Sequence, residues 1–184
     1  MLSYLSRKHD IKTFSISPEN FTGEKGGGGR SVDGRAKDCA RELGVGWKIS
    51  PNVLLKPGDL FTMANVQGMG AIKHIWMTDS SEKGRDLILR IYWDNSTNPS
   101  VEVPLSDFFA SASYQEHRQL SSLAVCVNPN RGLNCYWEMP YRKGFRMTIE
   151  NISAKEATLY YQIDCEEKNI PEDKVFLDTE NPSH

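Results

Sequence analysis

The sequence predicts a mainly β chain folded as one domain of two packed sheets, and three observations carry this expectation. From Leu54 onward, short runs rich in β-branched and aromatic residues are separated by turn residues at nearly regular spacing, the pattern of a sandwich or barrel. Within several runs the side chains alternate: Leu87, Leu89 and Ile91 oppose Ile88, Arg90 and Tyr92, and Phe61, Met63 and Asn65 oppose Thr62, Ala64 and Val66, as strands with one buried side require. Finally, 184 residues give one domain a real core, whereas two full domains would be cramped.

Taken in order, residues 1–50 read as an irregular N-terminal arm. Ser17-Pro18 and the glycines from Gly23 to Gly29 punctuate it, and only Asp38 to Leu43, with Asp38 as N-cap, suggests a short helix. Residues 51–166 form the sandwich, with strands expected at Leu60–Val66, Ala71–Thr78, Leu87–Trp93, Ser100–Leu105, Leu123–Val127, Asn134–Pro140, Phe145–Asn151 and Ala157–Asp164. Pro57-Gly58, Gly68-Met69-Gly70, Asn95 to Pro99, Asn128-Pro129-Asn130 and Lys143-Gly144 supply the turns, because glycine tolerates positive φ and asparagine adopts it more readily than most residues. The longest gap, Phe108 to Ser121, is expected to be a functional loop or a short helix. Residues 167–184 are charged and proline-containing and read as an extended tail. No repeat of solenoid or propeller period occurs.

Charge excludes some functions. With 22 Lys and Arg against 24 Asp and Glu, a formal net charge of -2, no basic face is indicated and nucleic acid is not an expected partner. No apolar window approaches a membrane span, and the N-terminus has no secretory apolar run, so the expectation is a soluble, cytoplasmic protein without a membrane partner. Cys39, Cys126, Cys135 and Cys165 lack CxxC spacing. A Cys126–Cys135 bridge is the alternative to four free thiols, and a reducing cytosol favours thiols.

The remaining question is which residues carry chemistry. Gly23-Glu24-Lys25-Gly26-Gly27-Gly28-Gly29-Arg30-Ser31 invites a phosphate-loop reading, but Arg30 stands where a Walker loop has lysine and the flanks are irregular. His9, His74, His117 and His184 lack metal-ligand spacing, and no GxSxG elbow presents a nucleophile. No metal and no cofactor are expected. Carboxylates are more informative, since glycosidic hydrolysis needs two of them a few ångströms apart. Asp94, Glu102, Asp107, Glu138 and Glu150 lie in or beside predicted strands, and Asp94, Asp107 and Glu138 adjoin aromatics. Each also has a structural reading: Asp94 as a turn cap, Asp107 as a cap for the following loop, Glu102 as the polar side of an edge strand. Trp47, Trp76, Trp93, Trp137, Tyr136, Phe108 and Phe109 are equally suited to a core and to stacking against sugar rings.

One stretch combines these features: Ile91-Tyr92-Trp93-Asp94 followed by Pro99-Ser100-Val101-Glu102-Val103-Pro104-Leu105-Ser106-Asp107-Phe108-Phe109. It resembles glycoside hydrolase family 172, also known as domain of unknown function 2961. Further blocks resemble that family in collinear order: Thr22-Gly23-Glu24-Lys25-Gly26-Gly27-Gly28, Gly44-Val45-Gly46-Trp47-Lys48, Gly70-Ala71-Ile72-Lys73-His74-Ile75-Trp76-Met77-Thr78, Asn134-Cys135-Tyr136-Trp137-Glu138-Met139-Pro140, Tyr160-Tyr161-Gln162-Ile163 and Ile170-Pro171-Glu172-Asp173. The resemblance implies a single jelly-roll β-sandwich, corresponding to the first of two tandem jelly rolls. It also implies retaining, furanoside-directed chemistry on fructofuranose or arabinofuranose linkages and assembly as trimers or hexamers. The family's catalytic glutamates lie in Gly-Glu-Gly-Glu and Gly-Thr-Glu-Asp motifs of its second half, and neither motif occurs here. No catalytic residue is therefore assigned, and the chain reads as a shortened or truncated paralogue. The expected function is a glycoside-hydrolase-like lobe without independent catalysis, with a carbohydrate-binding or homo-oligomeric assembly module as the alternative. Trp47, Trp76, Trp93, Asp107, Phe108, Phe109, Trp137 and Glu138 are the candidate residues for contact with a furanose-containing glycan.

Overall fold

The structure, a computed structural model, describes residues 10–40, 42–111, 119–173 and 177. Two antiparallel sheets pack face to face. The larger contains β1 (Lys12–Ile16), β2 (Val53–Leu55), β4 (Gly70–Asp79), β7 (Leu120–Ser121), β8 (Val125–Asn128), β9 (Gly132–Cys135), β10 (Met139–Tyr141) and β12 (Ala157–Glu167). The smaller has the order β3 (Leu60–Gln67), β11 (Gly144–Asn151), β5 (Leu87–Trp93) and β6 (Val101–Pro104). Among the described residues, two short α-helices, α1 (Lys37–Ala40) and α2 (Leu105–Phe108), and a single 3-10 turn at Pro129–Arg131 complete the secondary structure.

The connections β2–β3, β3–β4, β4–β5, β10–β11 and β11–β12 each cross from one sheet to the other. In the larger sheet β1 and β2 lie against one edge of β12, β4 against the other, and β9 and β10 beyond β4. This interleaving of non-consecutive strands is the jelly-roll topology. Fully buried Ile72, Ile75, Met77, Leu89, Ile91, Met147, Ile149, Leu159 and Ile163 fill the space between the sheets. The Tyr161 hydroxyl donates to Met63 O at 3.0 Å and ties one sheet to the other.

Regular alternation in β5 follows the sequence, with Leu87, Leu89, Ile91 and Trp93 inward. In β3 it does not. The register slips between Met147 and Thr148, whose partners are Ala64 and Thr62, so Met63 is the extra residue of a bulge. Met63 and Ala64 both face the core, and beyond them Asn65 is exposed while Val66 is half-buried. One inserted residue reverses the faces of all that follow it.

Other expectations are corrected. The arm is not irregular throughout: β1 pairs with β12 from Lys12↔Glu167 to Ile16↔Ile163. Past β1 it is a pinned excursion, closed by Gly46 N–H donating to Gly29 O at 2.7 Å and Ala36 N–H donating to Ile49 O at 2.9 Å. Gly34 permits this closure, since a Cβ there would stand 2.5 Å from Ile49 O. The predicted helix is displaced to α1, with Arg41 outside the described residues. The Asn134–Pro140 run is split into β9 and β10. In the Phe108–Ser121 gap, α2 ends at Phe108 and β7 begins at Leu120, while 112–118 lie outside the described residues. The tail begins later than 167 and folds back: Glu167 closes β12, Ile170 is buried, Arg142 Nη2 donates to Pro171 O at 3.1 Å, and Trp93 Nε1 donates to Leu177 O at 2.7 Å. Cys126 points outward from β8, where Sγ lies 3.2 Å from Asn128 Oδ1, whereas Cys135 is in the core. The two thiols are on opposite faces and cannot bridge.

Two polar residues fasten the corners. Asp94 and Asn95, both at positive φ, form a two-residue turn closed by Ser96 N–H donating to Trp93 O at 2.9 Å. Asp94 Oδ1 accepts backbone N–H groups of Arg142, Lys143 and Gly144 at 2.8, 2.6 and 3.2 Å, so the β5 turn holds the β10–β11 corner. Asn151, fully buried, donates to Leu55 O and Lys155 O and accepts from Ser153 N–H and Oγ–H. Among the described residues no helix is long and apolar enough to cross a membrane.

Candidate functional site

The residues with the most chemistry gather on the outer face of the larger sheet. Strand register places them there: Gln162↔Trp76↔Asn134↔Cys126 is one row across β12, β4, β9 and β8, and Ser15↔Asp164↔His74 is the next, across β1, β12 and β4. Polar and aromatic side chains occupy alternate positions of these strands because the other positions feed the core.

The second row is continuously hydrogen-bonded. Ser15 Oγ donates to Asp164 Oδ1 at 2.5 Å, Gln162 Nε2 donates to the same oxygen at 2.9 Å, and Asp164 Oδ2 lies 3.0 Å from His74 Nδ1. His74 Nε2 is 3.2 Å from Asn134 Oδ1, and Asn134 Nδ2 donates to Gly132 O at 3.1 Å. Partial burial pushes the Asp164 carboxyl up, but hydrogen bonds from Ser15, His74 and Gln162 outweigh it and hold the group below the usual range. Tyr136 stacks on His74 with centroids 4.7 Å apart and planes at 12°.

Beside this row stands an ion-pair quartet. Lys73 and Lys168 both contact Glu138 and Glu166, with Lys168 Nζ to Glu138 Oε2 at 2.9 Å and Lys73 Nζ to Glu166 Oε1 at 3.5 Å. Burial raises the Glu138 carboxyl, yet the two ammonium groups prevail and hold it down at about 2. A glycosidic proton donor needs the opposite shift, so Glu138 suits accepting hydrogen bonds from hydroxyl groups better than acid catalysis.

The arm crosses this face and closes a pocket of about 270 Å³ between Trp76 and Gln162 on one side and Ser17, Pro18, Glu19, Gly29, Gly46, Lys48 and Pro51 on the other. A larger open groove of about 1280 Å³ runs between β1, the glycine turn and the β3–β4 hairpin, with Lys12, Ser15, Asn20, Glu24, Asn65 and Gln67 among its polar lining. Among the described residues, no group of three or more His, Cys, Asp or Glu is placed to hold a metal.

The residues singled out from the sequence separate into three places. Trp76 and Glu138 belong to the outer face, Trp137 lies next to Glu138 in the β9–β10 connection and is 43% exposed, and Trp47 projects from the arm at 52% exposure beside pocket-lining Gly46 and Lys48. Asp107, Phe108 and Phe109 lie at one end of the sandwich, where Asp107 Oδ2 accepts Arg85 Nη2 at 2.7 Å and Ser106 N–H donates to Gly84 O. Asp107 is thus an ion-pair partner more than a loop cap. Trp93, Phe108 and Phe109 are buried, with Phe108 and Phe109 edge to face at 5.1 Å; their rings fill the core and leave no face for a sugar. Sequence reasoning missed Ser15, Glu19, His74, Asn134, Gln162 and Asp164, which only register assembles. The usable signal was outward alternation in His74-Ile75-Trp76 and Gln162-Ile163-Asp164.

The family described as GH172 first beta-sandwich domain matches residues 50–173. The chain belongs to this family. No curated protein matches the sequence significantly. The match begins just before β2 and covers the strands of the GH172 sandwich through β12, whereas β1 and the glycine excursion precede it. The outer-face row therefore draws His74, Asn134 and Asp164 from within the GH172 match and Ser15 from the segment before it.

Proposed function

We propose that this GH172 domain is the glycan-contacting lobe of a furanoside-active assembly and has no turnover of its own. The outer face of the larger sheet carries the reading. It presents Trp76 and Tyr136, with exposed Trp137 next to Glu138 in the β9–β10 connection, amides at Asn134 and Gln162, and charged groups at Glu138, Asp164 and Lys73, a combination of flat apolar rings and planar polar groups that suits sugar rings and hydroxyls. Absence of turnover is supported by charge: Glu138 is engaged by two lysines that hold it ionised, so it is not poised as a proton donor. Titration calorimetry with furanose oligosaccharides should detect weak binding that Trp137→Ala diminishes, and aryl furanosides should not be hydrolysed. Hydrolysis that disappears on changing Glu102, Asp107 or Glu138 would place the chemistry in this lobe and refute the reading.

A second reading, a homo-oligomeric scaffold forming trimers or hexamers, is favoured by exposed apolar residues away from that face. Leu60 and Ile152 lie at one corner of the smaller sheet, and Leu123 is 95% exposed. Light scattering at high concentration tests it, with a strictly monomeric particle as the adverse result.

A further inference from the structure

We infer that the outer face of the smaller sheet holds a binding site for a small carboxylate, with the Arg146 guanidinium as its fork and the side-chain amides of Asn65, Gln67 and Asn95 around it. The site is independent of the carbohydrate reading, which concerns the other sheet. Strand register assembles it: Asn65↔Arg146↔Tyr92 is one row across β3, β11 and β5. The bulge at Met63 puts Asn65 and Gln67 on this exposed side, since unbroken alternation would send Asn65 inward with Met63. The turn at Asp94 and Asn95, both at positive φ, brings Asn95 to the end of the row. These residues line a pocket of about 270 Å³, room for a small ligand.

Charge sets this pocket apart, because the same face carries two arginines in different states. Arg90 is neutralised by Glu102 and Glu150, each at 2.6 Å. Arg146 has no carboxylate partner among the described residues and lies over the Tyr92 ring, with Cζ 3.6 Å from the centroid. A guanidinium stacked on a ring keeps its N–H groups in its own plane, free to grip a planar carboxylate through two parallel hydrogen bonds. The exposed side-chain amides of Asn65, Gln67 and Asn95 make no hydrogen bond among the described residues, so they remain available as donors to a ligand. Ser96 also lines the pocket, but its hydroxyl is taken up by Asn98 O and N–H. Asp94 does not line it, and one of its oxygens is occupied by three backbone N–H groups. One uncompensated positive charge among neutral amides matches a monoanion, whereas a phosphate dianion would leave a charge unmatched.

The test follows the Arg146 Nε–H and the backbone N–H of Gln67 and Asn95 by NMR while the full chain is titrated with sodium propionate, with propionamide and sodium chloride as matched controls. Propionate should shift these resonances saturably with a Kd of about 10 mM, as one charge-assisted pair in a water-exposed pocket allows, and neither control should. Two variants probe the fork and its surround. Arg146→Lys keeps the charge but loses the planar fork, and Asn65→Asp sets a carboxylate directly across from Arg146 that competes with the ligand. Read on the backbone resonances, the first should weaken propionate about fivefold or more and the second about tenfold or more, both at the wild-type melting temperature. Acetyl-glycylglycine and its C-terminal amide identify the source of the carboxylate. Tighter binding of the free acid than of propionate assigns the site to a chain terminus and weaker or equal binding to a free small acid; either upholds the site, provided that the amide does not bind. No saturable response to propionate, an equal response to propionamide, tighter binding of inorganic phosphate, or wild-type affinity in both variants overturns it.

Discussion

Asp94 is the residue on which most backbone depends, because one carboxylate oxygen takes three amide protons from a different corner of the sandwich. Asp94→Ala leaves those donors without their acceptor and should lower stability by about 2–4 kcal/mol, read as a lower urea midpoint at unchanged slope. Asp94→Asn keeps an acceptor and should lose distinctly less. Asn151 makes the same argument for a neutral group: its four hydrogen bonds, to Leu55, Lys155 and Ser153, link β2, β11 and the following turn, so Asn151→Ala should cost about 1–3 kcal/mol on the same measurement. The sequence suggested a local turn cap at Asp94 but not its reach, since the amides it binds lie 48 to 50 residues away. Glu102 lies on the polar side of edge strand β6, as its sequence predicts, and pairs with Arg90 at 2.6 Å across β5 and β6.

Elements were legible to the degree that they alternate. β5 stood out because its faces differ sharply, whereas β1 has three exposed positions among five and β2 only three residues, too little pattern to separate either from a loop. The bulge in β3 left the strand recognisable but inverted its second half, which no period-two reading anticipates. β1 matters more than its appearance suggests: it covers one edge of β12 and delivers Ser15 to Asp164 from 149 residues away. Deleting residues 1–16 should therefore expose the backbone of Ile163–Glu167, seen as faster amide hydrogen exchange in that stretch than in β5 or β11. Unchanged protection there would mean that β1 adds nothing to the sheet. The candidate site shares this limit on legibility, because its members belong to four strands and the arm and become neighbours only through register.

For the whole molecule, acid is the informative perturbation. The Glu138 carboxyl is held at about 2 against an ordinary 4.5, so the folded state prefers its charged form. The stabilisation from the Lys73–Glu138–Lys168 clamp is complete above pH 4.5 and drains away as pH falls toward 2. Urea midpoints of wild type and Glu138→Gln should differ at pH 6 and converge near pH 2; a constant difference would assign the effect to packing. The strand order carries a further consequence for how the chain reaches this state. β12 lies between β4 and the β1–β2 edge of the larger sheet, yet it follows all the other described strands in sequence. A ribosome must therefore release every strand from β1 to β12 before the central ladder can zip, and pairing over such separations is slow. Nascent chains stalled before residue 157 should remain sensitive to protease, and those extended past 167 by an exit-tunnel length should become resistant.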